Sequence, residues 1–366
     1  MFLFLLTFIC CYAAAIIYLT VSVLKNSGSE TAVSKVNGIS IVIPFRNEQK
    51  NIPGLLSSLG KQDYSGPLEI ILVNDGSTDD SLEKIHDHKH LLPCEPIVLN
   101  STFDPGLKLT SKQQALETGF RHANHQWIAL TDADIKLSPS WLSSLSINAA
   151  PDTALLFGHT SILTEKINLF HLFQAFQLEF LFAAAFAMHR AKIPGSCMGN
   201  NLLVSKSAYM ECGGQKAIGY NIVEDMALLN LFLRQKKPVS ANQPFTPTAF
   251  TPPEDKLCGF LNQTKRWALG GFSSSPVLAL AGLLFFLQNI LFLSAPFMPI
   301  HPALSIAVCA NFLLTWLFIA TAFRKTGSCC RAIYFPFYYS FLLLESAVLL
   351  FSLLLKPGIE WKNRKI

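Results

Sequence analysis

Ile39-Ser40-Ile41-Val42-Ile43-Pro44 is an apolar run closed by proline, and Leu68 to Val73 is a second continuous run rich in Ile and Val. Runs of this kind, without polar alternation, belong to strands buried on both faces of a sheet. Between them, Asn51 to Gly60 places Ile52, Leu55, Leu56 and Leu59 at helical spacing. A strand, a helix and a strand in this order predict a crossover unit of a parallel sheet. Asn74-Asp75-Gly76-Ser77-Thr78-Asp79 follows as a turn with helix-capping residues, leading into a helix over Ser81 to His90. Further strands are expected at Pro96 to Leu99, Trp127 to Leu130 and Ala154 to Gly158, with a helix from Ser111 to Ala123. The fold class is therefore α/β with an open, mostly parallel sheet. Such sheets bind ligands beyond the carboxyl ends of their strands, where Asp75 and Asp132 fall. No G-x-G-x-x-G follows the first strand and no Walker A sequence is present, which argues against a dinucleotide cofactor.

Around this middle region the chain turns apolar. Of 366 residues, 51% are hydrophobic and 14% charged, too few charges for a wholly soluble protein. Met1 to Leu24 contains no charged residue and reads as a membrane anchor; no basic residue precedes it, as a cleaved signal peptide would require. Pro276 to Pro299, Pro302 to Phe323 and Ile333 to Leu355 are each of the length that crosses a bilayer. The expected division is an anchor at 1–24, a catalytic domain at 25–275, and a membrane region at 276–366 with two to three helices and a basic tail.

Lys25, Lys35, Arg46, Lys265 and Arg266 place the middle region on the cytoplasmic side, in an inner membrane. The cluster Arg324 to Arg331 and the tail with Lys356, Lys362, Arg364 and Lys365 favour one and the same side. Ile333 to Leu355, interrupted by Pro336 and Glu345, is therefore a candidate re-entrant or interfacial segment. Asn168 to Ala191, rich in phenylalanine but broken by Gln174, Gln177, Glu179 and His189, reads as a buried helix or one lying on the bilayer, with a lean toward the second.

Nine cysteines without a C-x-x-C pair suggest neither a zinc site nor a disulfide framework. The net charge of +5 suits an anionic membrane surface, and no basic stripe interleaved with aromatics points to nucleic acid. His86, His88 and His90 alternate by two, a spacing that scatters them around a helix and makes a surface cluster the better reading than a metal site.

Three signatures remain: Asp132-Ala133-Asp134, Glu224-Asp225 and Gln263-Thr264-Lys265-Arg266-Trp267. Two hard carboxylates at a strand end suit Mg²⁺ or Mn²⁺ that also takes phosphate oxygens, although a capped turn has the same composition. Glu224-Asp225 opens a helix to Arg234, so either first-turn capping or a general base at Asp225 accounts for it. On a helix from Lys256 to Leu269, Gln263, Arg266 and Trp267 share a face; Arg266 offers a planar fork to a diphosphate and Trp267 a flat wall to a sugar. A juxtamembrane Arg-Trp pair is the plainer account, but it leaves Gln263 and the two acidic motifs unexplained. Together the three offer a metal clamp, a base and a counter-charge, the groups needed to transfer a sugar from a nucleotide diphosphate.

Over Ile39 to Gly271 this order of motifs resembles the inverting family 2 glycosyltransferases. Pro44-Phe45-Arg46-Asn47-Glu48 is similar to that family's opening signature, and Val73 to Asp79 to its nucleotide-binding turn, with Asn74 where many members have aspartate. Lys112 to Gly119 resembles its Gly-Lys-x-x-Ala-Leu-x-x-Gly helix, with Ser111 in place of the first glycine. Gly199-Asn200-Asn201 and Gly213-Gly214 resemble its acceptor-side segment, and Gln263-x-x-Arg266-Trp267 its Q-x-x-R-W motif, which is shared with polysaccharide synthases and, in related form, ceramide glucosyltransferases.

The resemblance implies a Rossmann-like GT-A domain flanked by transmembrane helices. It implies that Pro44, Arg46, Glu48, Asp75, Lys112, Asp132, Gln263, Arg266 and Trp267 bind the nucleotide sugar, with Glu48 and Asp75 toward the nucleoside. Asp132 and Asp134 would hold Mg²⁺ or Mn²⁺, Arg266 would face the leaving nucleotide, and Asp225 would deprotonate the acceptor. The expected partners are a nucleotide diphosphate sugar, a lipid or glycan acceptor and the membrane. A processive polysaccharide synthase is the alternative, but three C-terminal segments offer little wall for a polymer channel. A transporter is the non-enzyme alternative, opposed by acidic motifs that lie outside the apolar segments.

Overall fold

The computed structural model describes residues 2–25, 36–163, 168–193, 195–242, 246–274, 276–294, 302–327, 329–354, 360–361 and 364–365. Lys35, Lys356 and Lys362, used above for orientation, lie outside the described residues, as do the side chains of Cys329, Cys330, Arg364 and Lys365. The chain forms two compact units: one of residues 29–167, 196–254 and 359–366, the other of residues 1–28, 168–195 and 255–358.

The first unit is α/β. In chain order its strands are β1 (Ile39–Phe45), β2 (Leu68–Asn74), β3 (Ile97–Asn100), β4 (Trp127–Leu130), β5 (Lys136–Leu137), β6 (Leu155–Phe157), β7 (Thr160–Ile162), β8 (Leu202–Ser205), β9 (Val239–Ala241), β10 (Ala249–Thr251) and a short antiparallel pair, β11 (Glu360–Trp361) and β12 (Arg364–Lys365). Seven build the main sheet in the order β3-β2-β1-β4-β8-β6-β9, and β5-β10-β7 form a smaller one. β3, β2, β1 and β4 run parallel, with Ile39 opposite both Leu68 and Trp127; β8 is antiparallel to β4 and to β6. The five strands expected from the sequence are present in this mostly parallel sheet.

Every residue of β1 is buried, as its apolar run requires, and its one polar residue, Ser40, donates to Glu69 Oε2 at 2.6 Å. Ile41, Ile43, Leu56, Trp141 and Leu142 meet in the core packed against the sheet. The helix expected over Ser81 to His90 ends at His88, and a 3-10 turn, Lys89–Leu91, completes it. Leu92 precedes Pro93 and takes an extended backbone, which a helix cannot continue. Because the chain leaves β1 for β2 on one side and β4 lies on the other, the strand order reverses between β1 and β4. Ligands of open α/β sheets bind in the crevice at such a reversal.

The second unit is helical: Phe2–Leu24, Leu169–Arg190, Leu257–Ser274, Pro276–Ser294, Pro302–Lys325 and Phe335–Leu354. Among the described residues four stretches are long and apolar enough to cross a membrane: Leu3–Leu24, Leu169–Arg190, Pro302–Lys325 and Arg331–Leu349. Pro276–Phe292 is a shorter apolar helix. Leu169–Arg190, placed on the bilayer surface by its polar interruptions in the sequence, thus has the length and hydropathy of a span. Those interruptions turn to other helices: Gln177 donates to Glu345 at 2.7 Å, and buried Glu179 pairs with Arg331 at 3.5 Å. Tyr12 and Thr315 share a hydrogen bond at 3.0 Å. Polar contacts of this kind join helices whose remaining surface is apolar.

Candidate active site

The loops that leave β1 and β2 are knitted together. Arg46 donates through Nη1 to the Asp75 carbonyl at 2.6 Å, and Glu48 N–H to Ser81 Oγ at 2.8 Å. Asn47 sits at φ 53°, where its Oδ1 accepts from Thr78 N–H at 2.8 Å and its own N–H reaches Ser77 Oγ at 3.1 Å. Gln49 exchanges bonds with the next turn, its N–H going to Asp79 Oδ2 and its Oε1 accepting from Asp80 N–H. Gly76, at φ 65°, supplies the left-handed residue of this turn, and a side chain there would crowd Arg46 Nη1 at 3.4 Å. Pro44, Glu48 and Asp75 are buried at the mouth of this pair of strands, with Glu48 also accepting from Asn51 Nδ2 at 2.7 Å.

Asp132 and Asp134 follow β4 directly. Ala133 and Ile135 turn into the core, leaving the two acids half-buried between them. The adjoining Thr131 hydroxyl is buried with no hydrogen-bond partner.

Lys112 lies in the first turn of the helix Ser111–His122. Thr110 and Gln113 cap that turn reciprocally, Thr110 Oγ1 accepting from Gln113 N–H and Gln113 Oε1 from Thr110 N–H. Gln113, fully buried, also donates to Gln215 Oε1 at 3.1 Å and to the Gly219 carbonyl at 2.8 Å, and accepts from Asn221 N–H at 3.1 Å. Glu117 on the same helix accepts from Tyr209 Oη at 2.6 Å, and Tyr209 stacks on Phe120. Burial and the Glu117 charge push the Tyr209 phenol far up, so it remains a neutral donor. These contacts clamp the segment that leads into the helix Glu224–Arg234 against the start of Ser111–His122.

Lys112 Nζ then bridges two motifs, with Asp132 Oδ1 at 2.9 Å and Glu224 Oε1 at 2.7 Å. The side chains of Lys112, Asp132 and Glu224 are 23%, 32% and 13% exposed, so the cluster is only partly screened by water. Burial alone would lower the lysine's pKa, but the two carboxylates raise it well above normal and keep it charged.

Asp225 is held at both oxygens: Gly199 N–H donates to Oδ2 at 2.6 Å and Met226 N–H to Oδ1 at 2.7 Å. Burial and the neighbouring Glu224 charge push its carboxyl up to about 6, against the opposing pull of Lys112 and the two N–H groups. A carboxylate has about four lone-pair sites, so two remain for a proton donor. Cys197 lies beneath, its Sγ 3.5 Å from the Asp225 carbonyl; burial and the two acids push its thiol up, away from thiolate reactivity.

Lys112, Asp132 and Glu224 converge, with Asp225 on the same helix as Glu224; Arg46 joins the β1 loop to Asp75. Asp132 and Asp134 stand at the end of β4. Gln263, Arg266 and Trp267 are half-buried in Leu257–Ser274 of the helical unit. Among the described residues no three His, Cys, Asp or Glu side chains gather as a metal site, and His88 and His90 bond to backbone carbonyls of their own helix segment. An aspartate pair nonetheless fits a hard divalent cation that draws its other ligands from phosphate and water. Sequence reasoning gave no part to Gln113 and none to Gly199 as a partner of Asp225. The Thr110-x-x-Gln113 capping pattern was a signal for the first; the second rests on tertiary approach alone.

Residues 40–149 match the model for glycosyl transferase family 2. The 4,4'-diaponeurosporenoate glycosyltransferase of Staphylococcus aureus strain USA300 is 26% identical over 222 residues, 58% of this chain and 56% of its own length; that of strain MRSA252 is 27% identical over the same span. The match therefore spans about half the length of these curated relatives. The mannosyltransferase PcManGT from Pyrobaculum calidifontis, solved in complex with GDP-Man and Mn²⁺, is similar with a TM-score of 0.53 at 15% identity, over 94% of this chain and 96% of that one. The chain thus carries a glycosyl transferase family 2 match at residues 40–149, set within a GT-A-like α/β fold.

Proposed function

We propose that the protein is a membrane-bound glycosyltransferase that moves a sugar from a nucleotide diphosphate sugar to a lipid or glycan acceptor, with inversion. The observation that carries this reading is Asp225, a carboxylate fixed by two N–H donors and raised by burial and the Glu224 charge, beside a lysine that ties Glu224 to Asp132. A base whose pKa lies just below neutrality is ionised at working pH yet strong enough to accept a proton.

In this reading the acceptor hydroxyl gives its proton to Asp225 as its oxygen bonds to the anomeric carbon. The bond from that carbon to the diphosphate oxygen breaks, and its electron pair leaves with the nucleotide. Attack on the face opposite the leaving group inverts the centre. Glu48 and Asp75 bind the nucleoside, with Pro44 and Arg46 shaping the loop around them. Asp132 and Asp134 would hold Mg²⁺ or Mn²⁺, which supplies positive charge against the departing diphosphate. For Gln263, Arg266 and Trp267 the reading rests on the Q-x-x-R-W resemblance.

Stretches with the length and hydropathy of membrane spans support an acceptor drawn from the bilayer; the cytoplasmic side of an inner membrane is read from the Lys and Arg of the middle region alone. The curated relatives are named for a single compound, 4,4'-diaponeurosporenoate, as acceptor, which agrees with a single addition. The test is nucleotide release by the purified full chain supplied with each of a panel of nucleotide diphosphate sugars and a membrane lipid extract. Glycosylated lipid is expected. Long polymer would instead favour a processive synthase, and no turnover with any donor would refute the enzyme reading.

A further inference from the structure

Lys112 stands where a cation is wanted. Its ammonium lies 2.9 Å from Asp132 and 2.7 Å from Glu224, and Asp134 and Asp225 adjoin those acids in sequence. One acid from each of the two acidic motifs, Asp132 and Glu224, therefore shares this lysine. Its place is fixed from behind by the Thr110–Gln113 cap and by the bonds of Gln113 to Gln215, Gly219 and Asn221. This is a rigidly mounted charge rather than a solvated side chain that drifts into contact.

We propose that Lys112 is an internal counter-cation that keeps free divalent metal out of the Asp132–Asp134 pair, so that the metal enters only together with a nucleoside diphosphate. The inference rests on the proposed metal-dependent reading. Two effects combine. Lys112 occupies one acceptor site of Asp132 Oδ1, and its charge opposes that of an incoming dication across a partly desolvated gap. A cation arriving with a diphosphate brings compensating negative charge and its own oxygen ligands. It can then take Asp132 while Glu224 retains the lysine. Premature loading would leave a bare, hydrated ion where the donor has to dock; the lysine holds the acids apart from it until the phosphates arrive.

The experiment is Mn²⁺ binding to the full chain in detergent or nanodiscs, read by the loss of the free-ion electron paramagnetic resonance signal, with no sugar transfer involved. Wild type is expected to bind Mn²⁺ weakly alone and more tightly when UDP, GDP, CDP or dTDP is present. Lys112→Met and Lys112→Gln should each bind Mn²⁺ alone at least about ten-fold tighter than wild type, whereas Lys112→Arg should resemble wild type. Gln keeps hydrogen-bond donors for both acids, so it remains informative if the Met variant does not fold. Wild type that binds Mn²⁺ with a nucleotide, beside Met and Gln variants no tighter for Mn²⁺ alone, would overturn the counter-cation role while leaving the metal site standing. Wild type that fails to bind Mn²⁺ with any of the four nucleotides would remove the metal reading and this inference with it.

Discussion

The backbone N–H of Gly199 and the Asp225 carboxylate lie 2.6 Å apart, and a Cβ built on Gly199 would fall 2.7 Å from both Cβ and Oδ2 of Asp225. The approach needs a residue without a side chain. Gly199→Ala should therefore push the carboxylate off its position. A displacement of this order lowers turnover by about 100-fold when the displaced group is catalytic. Steady-state kinetics should show the loss in kcat, with nucleotide affinity close to wild type; unchanged kcat would show that the placement of Asp225 is not critical.

Because burial and Glu224 raise the Asp225 carboxyl to about 6, catalysis should fall as pH drops through that value. Protonation removes the base, so kcat/KM should be half-maximal near pH 6 and fall about ten-fold per pH unit below it. The same shift has a stability sign. An acid with a raised native pKa favours the folded state when protonated, so this contribution is present below about pH 4 and is lost as pH rises through about 6. Glu224→Gln removes the charge that raises the pKa, and the acid limb of the profile should move to lower pH. A limb that stays in place would assign it to another group.

Gln113 is fully buried and makes bonds on both sides of its amide. Gln113→Leu strips those partners, leaving Gly219 O and Asn221 N–H without replacements, which costs about 2 kcal/mol. Thermal unfolding of the full chain should shift down by several degrees. An unshifted transition would mean that this clip contributes nothing to the unit that positions Lys112.

The fold was legible where residue types carried their own period. β1 and β2 showed as runs rich in Ile and Val, each with one polar residue near its start, Ser40 and Glu69, and Ile52, Leu55, Leu56 and Leu59 marked the helix between them. β5, β7, β8, β9 and β10 went unread: they are runs of two to four residues, too short to show a period, and the sequence around them gave no other mark. In Leu169–Arg190 the sequence left a buried helix and one lying on the bilayer both open, because the partners of Gln177 and Glu179, Glu345 and Arg331, lie far along the chain. At the site, the strand-end acids were visible from local pattern. The pairing of Lys112 with Glu224 was not, since it joins residues far apart in the chain and depends on Gln113 holding a segment that carries no motif of its own.

Chelation offers a further check on the aspartate pair. Removing divalent ions should abolish transfer, and added Mg²⁺ or Mn²⁺ should restore it. Asp132→Asn and Asp134→Asn should each weaken metal-dependent nucleotide binding by about ten-fold or more, as loss of a charged ligand predicts. Full activity in the presence of chelator would exclude a metal role for both residues.

The most direct measurement is the turnover of Asp225→Asn alongside its nucleotide binding. Asn keeps the shape and the capacity to accept from Gly199 or Met226, but cannot take a proton at neutral pH. The account predicts that transfer falls by about 1,000-fold or more, beyond the 100-fold typical at the low end of general-base losses, while the nucleotide dissociation constant stays within about three-fold of wild type. Wild-type turnover in Asp225→Asn would contradict it.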